Sequence, residues 1–86
     1  MYDVLMTQRA WLAYQRADAV LARKLNRCID NISLNPRTHP NIKRLSGTLS
    51  GQWRYRVGEW RVIYRVDEGA GQVIVLAICH RRDAYR

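Results

Sequence analysis

The apolar positions of this chain keep two different periods, and the change falls in the proline- and glycine-bearing stretch 36–51. Before it the spacing is helical. Leu21, Leu25, Cys28, Ile29 and Ile32 form one stripe of a helix predicted over 18–34, with Arg23, Lys24, Arg27, Asp30 and Asn31 on the other side. Asn35-Pro36 ends that helix, because proline disfavours the α conformation in the residue before it. A shorter segment, 8–16, carries Ala10, Trp11, Leu12 and Tyr14 and reads as a first helix with Thr7 as its N-cap. The residues Tyr2 to Met6 ahead of it read as a short strand. Two helices this close in sequence suggest a helical hairpin.

Residues 36–51 contain Pro36, Pro40, Gly47 and Gly51 and are expected to be a loop, carrying the basic residues Arg37, Lys43 and Arg44. After it the period is two. Trp53, Tyr55 and Val57 alternate with Arg54 and Arg56; Trp60, Val62, Tyr64 and Val66 alternate with Arg61, Ile63 and Arg65. Only Gly58-Glu59 separates the runs, a two-residue turn with glycine first, as a type II′ hairpin wants. Residues 67–72 make the next turn. Val73 to Ile78, apolar on both faces, reads as a central strand. The pattern thus predicts four strands, with both helices on the Trp53/Tyr55/Val62/Tyr64 face.

The short turn dictates which residues meet. Val57 should lie opposite Trp60, Tyr55 opposite Val62 and Trp53 opposite Tyr64, on one aromatic face suited to packing under the helices. On the other face Arg56 should stand opposite Arg61 and Arg54 opposite Ile63, with Arg65 further along. Like charges directly opposite each other destabilise a sheet, and no acidic residue alternates with these arginines. Glu59 in the turn is the nearby candidate partner. A bound anion accounts for such a cluster better than a solvated face does.

Composition sharpens this picture. The 86 residues are 48% hydrophobic and 26% charged, which suits one compact domain over 1–86 and leaves no room for a second core. No apolar run approaches the roughly 20 residues that cross a bilayer, and no charged-then-apolar leader opens the chain, so a cytoplasmic domain without a membrane partner is expected. The net charge is +8, and 13 of the 15 basic residues are arginine. Arginine is favoured for bidentate contact with phosphate, so the charge points to a polyanionic partner. Cys28, Cys79, His39 and His80 lack the spacing of a metal site, and there is no glycine-rich phosphate loop; neither metal nor cofactor is expected. His80, Arg81, Arg82 and Tyr85 follow the last strand and are placed by the pattern near the edge of the arginine-bearing sheet.

The run from Gly51 to Val66, GQWRYRVGEWRVIYRV, followed by His80-Arg81-Arg82-Asp83-Ala84-Tyr85, closely resembles the RelE/ParE superfamily of toxins from bacterial and archaeal toxin–antitoxin pairs. Lys43-Arg44-Leu45-Ser46-Gly47 ahead of the hairpin fits the same pattern. The resemblance covers nearly the whole chain. It implies an α+β fold, a small, mostly antiparallel sheet in the order β-α-α-β-β-β with two N-terminal helices on one face and a concave basic face for RNA.

Within the superfamily, RelE-like members are ribosome-dependent endoribonucleases that cut mRNA in the A site, by attack of the 2′-hydroxyl on the adjacent phosphate. Carried over by position, Arg54 and Arg56 match the basic residues of the first hairpin strand and Arg61 the transition-state arginine. Arg81 or Arg82 matches the basic residue offered as acid, and Tyr85 the aromatic that orients the base. Lys43, Arg44, Arg54, Arg65 and Arg82 are expected to bind RNA phosphates. Relatives use lysine where this chain has Arg54 and Arg56. An arginine is too weak a base to take a proton, so catalysis by orientation and electrostatics, or proton transfer by His80, is implied. The expected partners are an acidic antitoxin and the ribosome with its mRNA. The alternative within the same superfamily is a ParE-like inhibitor of DNA gyrase that performs no chemistry.

Overall fold

Thr7 separates the first strand, β1 (Asp3–Met6), from the first helix, α1 (Gln8–Gln15). Its hydroxyl accepts from the Ala10 N–H at 3.2 Å, the N-cap expected of it, and donates to the Leu76 carbonyl at 3.0 Å. Asp18 caps the second helix, α2 (Ala19–Leu34), by accepting from the Leu21 N–H at 2.8 Å. The helix ends before Asn35-Pro36 as the sequence requires. These contacts belong to a computed structural model that describes residues 1–83.

Among those residues the sheet has five strands in the order β1-β5-β4-β3-β2. The hairpin strands β3 (Trp53–Val57) and β4 (Trp60–Asp67) and the interior strand β5 (Gln72–His80) occur where the period-two pattern put them. The fifth strand corrects the expected four. β2 (Ile42–Arg44) pairs antiparallel along β3, with Lys43 opposite Arg54. At three residues it is too short to show a period, and its pairing partner, not its sequence, makes it a strand. β1 runs parallel to β5 and the other pairs are antiparallel.

Both helices lie on the aromatic face. Leu25, Cys28 and Ile32 of α2 and Ala10 of α1 are buried against Tyr55, Val62, Tyr64, Val73, Val75 and Ile78. Each side chain as large as Leu25 or Ile32 contributes about 1.5–3 kcal/mol when fully buried. The helical hairpin is looser than expected. Tyr14 donates to Asn26 across it, but α1 packs chiefly on β5, and α2 lies over β1 and β3. The buried tyrosines are tied down by their polar ends. Tyr64 donates to the Pro36 carbonyl at 2.6 Å, and Tyr55 accepts from the Asn31 amide at 2.9 Å.

One irregularity decides what faces where. Ile63 pairs with Ala77 but Tyr64 pairs with Val75, so Leu76 is an extra residue on β5. Beyond this bulge the alternation reverses: Ile78 joins the helix-side core, and Cys79 stands opposite Arg61. The Leu76 carbonyl is the one that Thr7 caps.

Thr7→Val should therefore cost about 1–2 kcal/mol in urea unfolding, since it removes a helix cap and leaves the carbonyl at the bulge unpaired. Burial pushes the Cys28 thiol from 9.0 up to about 12. The unfolded chain loses this proton first, so stability should fall as pH rises above 9 and on toward 12, and be insensitive to Cys28 below that window. Burial also raises the Tyr64 phenol. Cys28→Ala should thus reduce the alkaline slope of the unfolding midpoint without abolishing it.

Candidate nucleic-acid interface

The turn between β3 and β4 is built on Gly58, whose φ of +58° lies in the left-handed region that favours glycine. The register that follows is the expected one, residue for residue: Val57 with Trp60, Arg56 with Arg61, Tyr55 with Val62, Arg54 with Ile63 and Trp53 with Tyr64. β2 extends the cationic row by setting Lys43 beside Arg54. A groove of about 530 Å³ results, lined by Lys43, Arg44, Arg54, Arg56 and Arg61 and closed on one side by the loop from Leu45 to Leu49.

The groove's cations are held in different ways. Arg61 is half-buried, and its Nη1 donates to the carbonyls of Gly58 at 2.9 Å and Trp60 at 3.0 Å, so the turn fixes its guanidinium in place. Arg54 is also half-buried, and its Nε is buried without an acceptor among the described residues. Leaving such a donor unpaired costs roughly 1–3 kcal/mol. Arg56 is exposed. It also borders a smaller hollow with Lys24 and Arg27 of α2, so the basic surface continues past the end of β3 onto the helix. The helical spacing places those two on the side of α2 opposite its apolar stripe. Arg44 stands opposite Trp53, its guanidinium carbon 5.9 Å from that ring's centre.

The ion pairs among the described residues are Arg37–Glu68 and Arg81–Glu59, the latter 2.8 Å between Nε and Oε2. Glu59, the acid in the turn between Arg56 and Arg61, is thereby committed to Arg81. Arg81 is anchored to the hairpin turn by this pair and by its own N–H on the Glu59 carbonyl at 2.8 Å. Arg65 lies on the arginine face, four residues along β4 from Arg61, or about 13 Å at strand rise, and outside the groove. Arg82 is exposed beyond β5.

His80 departs from expectation. Unbroken alternation from Val73 would have turned it toward the arginines. The bulge at Leu76 turns it to the helix side, where it pairs with Trp60 and meets that ring edge-on at 5.8 Å between centres. Cys79 takes the place beside Arg61, and burial raises its thiol, which keeps it protonated at neutral pH. Tyr85 lies outside the described residues. Among the described residues the groove is thus a set of preorganised donors with no group ready to accept a proton: it can bind a phosphate and stabilise added charge on it.

Solved structures of other proteins share this architecture. A YoeB/ParE toxin from Agrobacterium tumefaciens superposes with a TM-score of 0.82 at 28% identity, covering 91% of this chain and 96% of its own. The toxin–antitoxin complex RelBE2 from Mycobacterium tuberculosis gives 0.77 at 27% identity, covering 93% and 98%. The toxin RelG of the same organism is 39% identical over 44 residues, so the match spans about half of each chain, 51% in both cases. The family model for the ParE toxin of type II toxin–antitoxin systems matches residues 4–85. With its five-stranded sheet, its two helices and this match over nearly its full length, the chain belongs to the ParE toxin family, within the RelE/ParE superfamily.

Proposed function

We propose that this protein is the toxin of a toxin–antitoxin pair and acts as an endoribonuclease on mRNA in the ribosomal A site. The observation that carries this reading is the groove, where Lys43, Arg54, Arg56 and Arg61 converge from three strands with no carboxylate partner among the described residues. Such a cluster is costly for a sheet and suits a phosphodiester.

In the proposed reaction the 2′-hydroxyl of the RNA loses its proton and its oxygen bonds to the adjacent phosphorus. The bond from phosphorus to the 5′-oxygen breaks, and that oxygen takes up a proton. The products are a 2′,3′-cyclic phosphate and a 5′-hydroxyl. Arg61, held by the turn carbonyls, and Arg54, with its unpaired Nε, stabilise the charge that builds on phosphorus. Arg56 opposite Arg61 closes the clamp. His80, on the far face of the strand, stays out of the proton transfers. Orientation and electrostatics supply the rate, and the protons pass to groups outside the groove. The partner that neutralises the toxin is proposed to be an acidic antitoxin, whose charge complements the +8 of this chain.

The second reading, a gyrase inhibitor without chemistry, is favoured by the ParE character of the family match. One experiment separates the two. The protein is added to a purified translation system with mRNA ends mapped by primer extension, beside a gyrase supercoiling assay. Cleavage within codons is expected; loss of supercoiling with intact mRNA would replace the nuclease reading with the gyrase one. Arg61→Ala should lower cleavage by roughly 100- to 1000-fold, or about 3–4 kcal/mol, with circular dichroism unchanged, and Arg61→Lys should restore only part of it. His80→Ala should lose little and leave the pH–rate profile in place. A large loss with a shifted profile would return proton transfer to His80.

A further inference from the structure

The basic groove ends against Leu49, and the same side chain begins a second hollow on the same face of the sheet. This hollow holds about 220 Å³ and lies over β4 and β5, with Ile63, Ala77 and Cys79 as its floor and Leu49 and Leu76 as walls. Ile63 and Ala77 are 7% and 8% exposed, yet neither belongs to the helix-side core. The bulge makes the hollow. With unbroken alternation Ile78 would occupy this face; the extra residue at Leu76 puts the smaller Ala77 and Cys79 there instead.

The two cavities differ in charge. The charged residues that line the groove are all cations, whereas among the described residues the hollow has one cation, Arg9, and one carboxylate, Asp83, on its rim, so that their charges offset. An apolar floor inside a balanced rim is a poor phosphate site and a good seat for a flat, uncharged ring. Gln52 borders it. Its position is set by its backbone, whose N–H donates to the Leu49 carbonyl and whose carbonyl accepts from Leu45, both at 3.0 Å. An amide offers two donors and an acceptor to a base edge. Ile63 is directly opposite Arg54, and Cys79 directly opposite Arg61. At strand spacing the hollow is therefore about 5–10 Å from the groove, the separation between a nucleotide's phosphate and its base.

We infer that the hollow over Ile63, Ala77 and Cys79 is a nucleobase subsite, in which Gln52 reads the polar edge of a base whose phosphate lies in the arginine groove. This rests on the reading of the groove as an RNA site. It makes Gln52 a specificity-determining residue and Ala77 the position whose size admits the ring.

The test is a binding cycle that needs no cleavage. A short single-stranded RNA with 2′-deoxyribose at the cut position is titrated by fluorescence anisotropy, intact or with one abasic nucleotide moved along it. The wild-type protein should lose about tenfold in affinity when the abasic nucleotide reaches one position. Ala77→Leu, which fills the floor, should bind the intact and abasic RNAs alike. Gln52→Ala should keep the abasic penalty and lose the preference among bases at that position. Thermal melts of both variants check the fold, and the Gln52 arm stands even where Ala77→Leu does not fold. An abasic penalty undiminished in Ala77→Leu, or a base preference unchanged in Gln52→Ala, overturns the subsite. Cleavage of the all-ribose RNA on ribosomes, measured in parallel, keeps the two readings apart. Cleavage without coupling between base and hollow removes the subsite alone. Coupling without cleavage keeps the subsite and removes the nuclease, and a protein that binds neither RNA removes both.

Discussion

The turn at Gly58-Glu59 leaves the hairpin no freedom of register, and most of the structure follows from that. A two-residue loop can close only one alignment of its strands, and a slip by one position would exchange the two faces. In the alignment that forms, Tyr55, Val57, Val62 and Tyr64 are buried beneath the helices. The same alignment forces Arg56 against Arg61. The aromatic face can be buried only if the arginines are brought together, so the stability gained on one side sustains the repulsion on the other. The repulsion is contained by local devices. The turn carbonyls hold Arg61, and Glu59 is drawn off by Arg81, which leaves the groove without a counter-charge from the described residues.

How much of this was legible in the sequence depended on whether the signal was local. The caps at Thr7 and Asp18, the stop at Asn35-Pro36 and the hairpin register each rest on a few adjacent residues, and strong short-range chemistry specifies them. β2 was invisible because its three residues form a strand only through β3. The bulge at Leu76 left no mark either: Val73 to Ile78 is apolar on both faces, so no alternation exists in which an extra residue would show. That one hidden residue changed the reading of the site. It moved His80 to Trp60, put Cys79 beside Arg61, and opened the hollow over Ala77. The alternation that made the arginine face readable on β3 and β4 was missing on the neighbouring strand.

The arrangement divides labour between the two sides of one sheet. The helix side supplies stability through apolar burial and through tyrosines tied by their hydroxyls to Pro36 and Asn31. The open side carries the opposed guanidiniums of Arg56 and Arg61, which work against folding and are proposed to serve a ligand. Proteins commonly give up local stability at sites that hold a charged ligand, and the unpaired Nε of Arg54 fits the proposed site in that respect.

On the proposed function, the Arg56–Arg61 juxtaposition is kept against the interest of the fold because an anion uses it. Arg56→Thr tests this most directly, since Arg56 is exposed and replacing it relieves the repulsion without creating a cavity. The measurement is the urea unfolding free energy of wild type and variant at low and high salt, together with affinity for single-stranded RNA over the same salt range. Relief of the repulsion should make the variant more stable by about 0.2–1 kcal/mol at low salt, with the gain shrinking as salt rises. RNA binding should be weaker, with the salt dependence of the binding constant reduced by about 0.7 in logarithmic slope, the loss of one phosphate contact. A variant that is less stable and binds RNA as tightly as before would contradict this reading.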